Sequence, residues 1–363
     1  MSITLLNFLY HYPFIFIFIT GILGLVFMPL VLKVAREKNF VVKPNKRTSH
    51  VGVIPTIGGL DIFISFLIFY IIFSYNHLEY SHYLMAGVTL ILMTGFIDDL
   101  IDLSAIIKLA GEILAGAFLI VFADIRIKSL FGLFGIYELT LFWSYIISFI
   151  SLVAITNALN LIDGVDGLAS GLGILYSLIF ALYFQAAGDV HMAVLAYALI
   201  GSLAVFFLYN VFGGSHRKIF MGDSGSLLLG FMMSWFAFHF IQLNAIPENL
   251  PSFLVISAAP AVAFCILFVP LFDTMRVMLT RIKKKVSPFK PDRNHMHHLL
   301  LKIGLKHRQV TFVLLLVSCL FCILAFMGRN WSNELLLLAA FALGTVLVIV
   351  LWKIIDRKSL ENK

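Results

Sequence analysis

Four polar clusters interrupt an otherwise apolar chain, and their residue types suit the chemistry of phosphates and metal ions. Carboxylates are ligands for Mg²⁺, glycine lets the backbone approach a ligand closely, and histidine exchanges protons near neutral pH. The clusters therefore indicate an enzyme acting on a phosphorylated, metal-bound substrate. They are Asp98-Asp99, the segment Asn157 to Gly167, Gly222-Asp223-Ser224-Gly225, and His295-Met296-His297-His298.

The first cluster contains three aspartates, Asp98, Asp99 and Asp102, at the end of an apolar run. On a helix, Asp98 and Asp102 share one face. Carboxylates this close repel one another unless a cation neutralises them. An ordinary solvated loop could hold such acids, but few other charges lie nearby. We therefore interpret Asp98 and Asp99 as catalytic, with a role in organising a metal site.

The second cluster reads N-x-x-N-x-x-D-G-x-D-G and contains Asn157, Asn160, Asp163 and Asp166. Its two glycines interrupt a helix, which predicts that the two aspartates lie in a tight loop. A plain turn needs only one Asp-Gly pair. Asparagine inside an apolar segment is costly without hydrogen-bonding partners. This is the strongest single motif in the chain, and it predicts a ligand-binding loop.

The third cluster begins another apolar run, where Asp223 and Ser224 could act simply as helix N-caps. A helix N-terminus flanked by glycines is also an anion site, because its backbone N–H groups have no partner within the helix. The functional alternative is that Asp223 holds Mg²⁺ while these N–H groups bind diphosphate oxygens.

The fourth cluster, His295, His297 and His298, follows Arg293 in the longest polar connection. No cysteine or suitably placed carboxylate completes a tetrahedral zinc site there. Histidine beside arginine is better suited to binding phosphate or orienting a leaving group.

The composition places these clusters in a membrane protein. Hydrophobic residues make up 61% of the 363 residues, charged residues 12%, and the mean hydropathy is +1.00. A soluble domain has roughly 25% charged residues. We predict an all-α polytopic membrane protein forming one domain over residues 1–363. About eleven transmembrane helices are predicted, at 14–32, 57–75, 83–97, 107–123, 141–156, 169–187, 191–209, 224–243, 252–272, 310–327 and 334–352.

The distribution of basic residues predicts the orientation. Of the 26 lysines and arginines, only Arg126, Lys128 and Arg329 fall in connections opposite the polar clusters. Because basic residues favour the cytoplasmic side, the N-terminus is predicted outside and the C-terminus in the cytoplasm. A basic rim beside anionic lipid accounts for part of the net charge of +7, so nucleic acid is not an expected partner. The predicted cytoplasmic loops are 33–56, 98–106, 157–168, 210–223 and 274–309.

Together the clusters resemble the polyprenyl-phosphate N-acetylhexosamine-1-phosphate transferase family, from about Lys43 to His298. The H-x-H-H arrangement is similar to that of the N-acetylglucosamine branch. Val42 departs from the family's first motif, which often has aspartate there. The resemblance implies transfer of a sugar-1-phosphate from a UDP-sugar to undecaprenyl phosphate, with release of UMP, to start a cell-envelope polysaccharide. It further implies Mg²⁺, with Mn²⁺ as an alternative, an active site facing the cytoplasm from the bacterial inner membrane, and a homodimer as one candidate assembly.

The resemblance also implies residue roles. Asp223 is the leading metal ligand, and one of Asp98 and Asp99 deprotonates or positions the lipid phosphate while the other helps organise the metal site. Asp163 is expected to pair with a cation. The residues expected at the uridine end are Asn210, Asp166 and Phe220, and those expected on phosphate or sugar are Lys46, Arg47, Arg293, His295, His297 and His298.

Two other functions are alternative interpretations of the same sequence. An aspartate-rich intramembrane prenyltransferase also binds Mg²⁺–diphosphate, but it would not require the histidine cluster or the doubled Asp-Gly loop. A transporter would be expected to carry its charges near the membrane midplane, whereas these residues cluster at one rim.

Overall fold

Long apolar segments form helices throughout the chain, because a backbone in lipid must satisfy its hydrogen bonds within the segment itself. The computed structural model describes residues 9–42, 54–73, 80–287 and 294–361. The helices are α1 (Ile15–Glu37), α2 (Gly58–Phe73), α3 (Ser81–Ile101), α4 (Ala105–Ala117), α5 (Leu141–Ile162), α6 (Leu168–Ala186), α7 (Val190–Phe212), α8 (Gly222–Asn244), α9 (Ala259–Ile266), α10 (Phe268–Lys283), α11 (Met296–Lys302), α12 (His307–Met327) and α13 (Asn333–Glu361).

The remaining regular structure is small. Strands β1 (Val41–Val42) and β2 (Ile54–Pro55) pair antiparallel, and β3 (Ser129–Leu133) pairs with β4 (Ile136–Glu138) as a hairpin. A π-helical turn, Phe118–Phe122, extends α4. Helices thus make up most of the described chain, and many of them are long and apolar. The predicted all-helical, multi-pass membrane protein is confirmed.

The spans differ from the predicted ones in their number and regularity. Nine helices in the described part of the chain are long and apolar enough to cross a membrane, while α2 has only 16 residues. The segment predicted as one span at 252–272 instead contains a 3-10 turn followed by α9 and α10, which meet at a bend of 83°. Pro270 explains part of this break, because it has no N–H to donate to the carbonyl of Ile266.

Several helices continue past their predicted ends, so the connections are shorter than expected. The loop predicted at 98–106 is reduced to 102–104, and the one predicted at 157–168 to 163–167. Likewise, α7 continues to Phe212 and α10 to Lys283. Hydropathy marks where apolar residues stop, whereas a helix continues through a polar final turn. The polar clusters consequently lie largely on helix ends rather than in loops.

Glycines bring three helices into backbone contact beside the site. A Cβ on Gly59 of α2 would lie 2.1 Å from the backbone nitrogen of Gly225 in α8. A Cβ on Gly95 of α3 would lie 2.5 Å from the carbonyl oxygen of Asp223. Small residues allow such close approach between membrane helices. The first turn of α8 is thereby enclosed between α2 and α3.

Replacing Gly59 by alanine tests this contact. Because the added methyl group meets backbone atoms that cannot rotate away, G59A should lower the free energy of unfolding by about 1–3 kcal/mol. The matched control is G21A, whose Cβ would lie 3.8 Å from the nearest atom, the carbonyl oxygen of Gly201. Thermal midpoints in detergent measure both variants. Equal midpoints for G59A and the unaltered protein would contradict the packing.

Candidate active site

Lys108 is the centre at which three of the four polar clusters meet. Its Nζ lies 3.0 Å from Oδ2 of Asp98 and 3.3 Å from Oδ2 of Asp223. It also donates to Oδ1 of Asn160 at 3.5 Å. Asp98 and Asn160 lie in the last turns of α3 and α5. Asp223 lies in the first turn of α8, and Lys108 lies in the first turn of α4. One ammonium group thus connects four helices at the same end of the bundle.

A tight reversal between α3 and α4 places Lys108 beside Asp98. Asp102 ends α3 in the left-handed region, with φ +50°. Ser104 then begins α4 by accepting a hydrogen bond from the backbone N–H of Ile107. Asp98 accepts a hydrogen bond from the backbone nitrogen of Leu103 at 2.6 Å, which closes the turn.

Asp99 caps the helix that carries Asp223. Its Oδ1 accepts from the backbone nitrogen of Asp223 at 2.7 Å, and its Oδ2 accepts from that of Ser224 at 3.0 Å. The first N–H groups of a helix have no partner within it, so this carboxylate satisfies two of them. Gly222, with φ +71°, allows the approach, because a Cβ there would lie 2.5 Å from Asp99 Oδ2.

This arrangement corrects one expectation about the third cluster. One of the two alternatives was that the N–H groups at the start of α8 bind diphosphate oxygens, but those of Asp223 and Ser224 donate to Asp99. The caps also come from α3 rather than from the side chains of Asp223 and Ser224, since α8 has no local side-chain cap. The sequence could not show this, because the capping residue lies more than a hundred positions away.

The two asparagines of the second motif have the partners that their membrane position requires. Asn160 Nδ2 donates to Asp223 Oδ1 and, at 2.8 Å, to Ser226 Oγ. Asn157 Nδ2 donates to Oε2 of Glu112, which is buried, at 2.6 Å. The last turns of α5 therefore hold both Asp223 and the α4 helix in place.

Asp163 stands in a strongly negative environment at the end of α5. Desolvation by the surrounding protein, reinforced by the charges of Asp223, Asp99 and Asp166, raises the pKa of Asp163 well above its usual value. Its expected cation partner is not found among the residues that the structure describes. Lys46, Arg47 and Arg293, which were expected to bind substrate, lie outside those residues.

The residues expected at the uridine end form a second group beside this one. Lys218 Nζ lies 2.6 Å from Asp166 Oδ2 and 5.6 Å from the ring centroid of Phe220. Asn210 accepts from the backbone nitrogen of Gly167 at 2.6 Å and donates to the carbonyl of Ile219 at 2.7 Å. The grouping of Asp166, Asn210 and Phe220 is thus observed, although their role stays a prediction.

The histidine motif packs against the doubled Asp-Gly loop. A Cβ on Gly164 would lie 2.6 Å from Nε2 of His297, so only glycine leaves room for this ring. His297 is 2% exposed. Burial, followed by the neighbouring charge of His298, lowers the pKa of His297 to about 3. His297 is therefore neutral at physiological pH.

Sequence reasoning missed several of these residues as site residues. Lys108 and Glu112 are four positions apart inside an apolar run, and charged residues in such a run often mark a functional site. That spacing could have identified both. Lys218 lies in a short polar connection, where a lysine also fits the cytoplasmic bias of basic residues. Asp273, which lies 3.0 Å from His295, carries no local signal.

The donor set suits a hard cation shared with substrate phosphates. Among the described residues, no three histidine, cysteine or acidic side chains gather as a complete metal site. Asp98, Asp223 and Asn160 nevertheless direct oxygen atoms at one positive charge, that of Lys108. Mg²⁺ typically uses one or two carboxylates and takes its other ligands from phosphate and water. These residues fit that ion.

Comparison with known proteins identifies the family. A family model described as glycosyl transferase family 4 matches residues 81–241, which include Lys108, Asn160 and Asp223. An undecaprenyl-phosphate alpha-N-acetylglucosaminyl 1-phosphate transferase of Yersinia pestis is 30% identical over 328 residues, covering 89% of this chain and 87% of that protein. The chain belongs to glycosyl transferase family 4. Proteins of the same name from Salmonella typhi and Escherichia coli O157:H7 are 32% and 29% identical, and each alignment covers 94% of this chain and 90% of the relative.

Membership in glycosyl transferase family 4 makes the chain a phosphoglycosyltransferase, of a class that depends on a divalent metal. It decides against the prenyltransferase and the transporter. The resemblance drawn from the sequence is confirmed. The matched region ends at residue 241. It includes Lys108 with its partners Asp98, Asn160 and Asp223, together the Lys108 cluster, but not the histidine motif.

The neutral state of His297 predicts a dependence of stability on pH. The pKa is about 3 in the folded protein and near 6.5 in the unfolded chain, so between these values the unfolded chain binds the extra proton. Stability should fall by up to about 1.4 kcal/mol per pH unit as the pH drops below 6.5. Unfolding midpoints of H297Q should show a shallower slope than the unaltered protein. H216Q, which changes an exposed histidine, should keep the original slope, and equal slopes in all three proteins would contradict the prediction.

Proposed function

We propose that this protein transfers N-acetylglucosamine-1-phosphate from UDP-N-acetylglucosamine to undecaprenyl phosphate, releasing UMP. The product would start a cell-envelope polysaccharide, made at the cytoplasmic face of a bacterial inner membrane. The observation that carries the proposal is the shared name of relatives aligned over about nine tenths of the chain. The Lys108 cluster supports it, since it gathers charges at one end of an apolar bundle, where a lipid phosphate and a soluble nucleotide can meet.

The reaction forms one phosphorus–oxygen bond and breaks another. An oxygen of the lipid phosphate attacks the β-phosphorus of the UDP-sugar, and the bond from that phosphorus to the bridging oxygen breaks. UMP leaves with the bonding electrons. Catalysis of such transfers depends mainly on positioning and on neutralising negative charge. Lys108 provides a positive charge, and Asp98 positions the lipid phosphate through its contact with Lys108.

Asp99 acts on this site through Asp223. Both of its oxygens accept backbone N–H groups, so we assign it to fixing the position of Asp223 rather than to proton transfer. Asp223 and Asp98 would hold Mg²⁺, or Mn²⁺ in its place, and the ion would supply charge neutralisation on the diphosphate. Asn160 orients Asp223, and Asn157 holds Glu112 beside Lys108.

The second group of residues would receive the nucleotide. The uridine end would be bound by Asp166, Asn210 and Phe220. Lys218, which contacts Asp166 and Phe220, would act with them. The neutral His297 and its neighbours would contact phosphate or sugar from the other side of the Asp-Gly loop. Family resemblance assigns Asp163 to pairing with a cation in the site. The residues that it assigns to phosphate or sugar together with His297 are Lys46, Arg47, Arg293, His295 and His298.

The decisive experiment is incubation of the purified protein with Mg²⁺, undecaprenyl phosphate and a panel of UDP-sugars. UMP and a lipid-linked product should form with UDP-N-acetylglucosamine, and chelation of the metal should stop the reaction. Release of inorganic diphosphate would instead indicate a prenyltransferase. Movement of unaltered labelled substrate across vesicles would indicate a transporter.

Asp223→Asn tests the proposed metal ligand. We expect at least a 100-fold loss of UMP release, on the order of the loss when a group stabilising transition-state charge is removed. Asp124→Asn is the matched control, because Asp124 also pairs with cations, Arg126 and Lys128, but at the opposite end of the bundle. The control should keep activity within about twofold. Near-normal activity of D223N would refute the assignment.

A further inference from the structure

A buried acidic residue, Asp273, lies behind the histidine motif and belongs to none of the four polar clusters. It is 2% exposed and stands in the second turn of α10. Its Oδ2 lies 3.0 Å from Nδ1 of His295. Both of its oxygens accept from the backbone nitrogen of Met296 at 3.1 Å. A buried carboxylate without partners would be strongly unfavourable, so these contacts define its position.

Arg276, one turn further along α10, completes a clamp. Its Nη2 lies 2.7 Å from Asp273 Oδ1 and also donates to the carbonyl of Asn294 at 2.5 Å. The two side chains therefore grip three consecutive residues, Asn294, His295 and Met296. Because α10 is anchored in the bundle, the start of the H-x-H-H motif is attached to a rigid support rather than left to a loop.

The contact with Asp273 also selects the form of the His295 ring. A carboxylate at Nδ1 requires that nitrogen to carry a proton, which leaves Nε2 as the atom available to a substrate. The ring of His295 lies nearly parallel to that of His297, with centroids 5.8 Å apart and planes 9° from parallel. His297 in turn packs on Gly164. The orientation set by Asp273 therefore extends through the motif to the Asp-Gly loop.

We propose that Asp273 is a positioning residue for His295: it fixes the tautomer and direction of the His295 ring so that Nε2 faces the sugar nucleotide. Arg276 keeps the Asp273 carboxylate in place. The assignment rests on the proposed function, within which His295 binds phosphate or sugar. Asp273 acts through His295 and does not itself contact substrate.

A double-mutant cycle on turnover tests the proposal. D273N keeps the shape of the side chain but removes the charge that holds the Nδ1 proton. We expect kcat to fall about 10- to 100-fold, as for other residues that orient a functional histidine, with KM for UDP-N-acetylglucosamine changed less than about threefold. In an H295N background, D273N should cost less than about threefold, because residues acting as a unit are not additive. Losses that multiply would overturn the proposal.

Nitrogen-15 spectra of histidine-labelled protein in lipid give a readout independent of activity. The unaltered protein should show a histidine with a protonated Nδ1 that disappears in H295N and changes in D273N. Absence of that signal overturns the proposal even if UMP is released. Absence of UMP release with the signal present refutes the proposed function and leaves the positioning contact standing.

The same variants also need a control that they remain folded. Thermal midpoints should show D273N, H295N and the double variant folded. If D273N loses its melting transition, D273E replaces it in the cycle, and multiplying losses there overturn the proposal. Asp124→Asn is the control at the opposite end of the bundle, because it removes an exposed carboxylate that pairs with Arg126. Its effect on kcat should multiply with that of H295N, without coupling.

Discussion

The ammonium group of Lys108, held between Asp98 and Asp223, is the interaction on which the site depends. Charges at the edge of an apolar bundle are unfavourable unless paired, so the cation between them stabilises two aspartates from different helices. Asn160 adds a neutral partner to the same group. Because a substrate diphosphate and a metal ion carry opposite charges, a cluster with side chains of both signs is suited to bind them.

This electrostatic centre requires close packing behind it. Gly59 and Gly95 let α2 and α3 approach the backbone of α8, and Gly222 lets the carboxylate of Asp99 reach two N–H groups of that helix. The position of Asp223 is consequently set by backbone contacts on several sides. Such positioning by backbone contacts suits a reaction whose catalysis depends on positioning more than on covalent chemistry.

The histidine motif reaches the site through tertiary contacts rather than through its own segment. Asp273 and Arg276 secure its beginning, and Gly164 receives the His297 ring. A group of paired charges therefore lies next to a buried, uncharged histidine. The Lys108 cluster keeps its groups paired, while His297 is buried without a charge, with its pKa lowered to about 3. A strongly polar group of residues therefore lies beside a neutral one, an arrangement that suits the proposed substrate, which carries both a diphosphate and a sugar.

The sequence by itself determined the class of fold, the clusters and the family, because apolar run length and the D-G-x-D-G and H-x-H-H spacings are local properties of the chain. It also identified Asn157 and Asn160 as residues needing hydrogen-bonding partners, and Asp223 as a candidate metal ligand. Only the tertiary structure decided what those partners are. Lys108, Glu112 and Asp273 were not predicted as site residues, and Asp99 proved to cap a helix more than a hundred residues away. The segment 252–272 proved to be broken by a bend of 83°. The physical reason is the same in each case: ion pairs, caps and helix breaks depend on which distant elements pack together, and spacing along the chain contains no record of that packing.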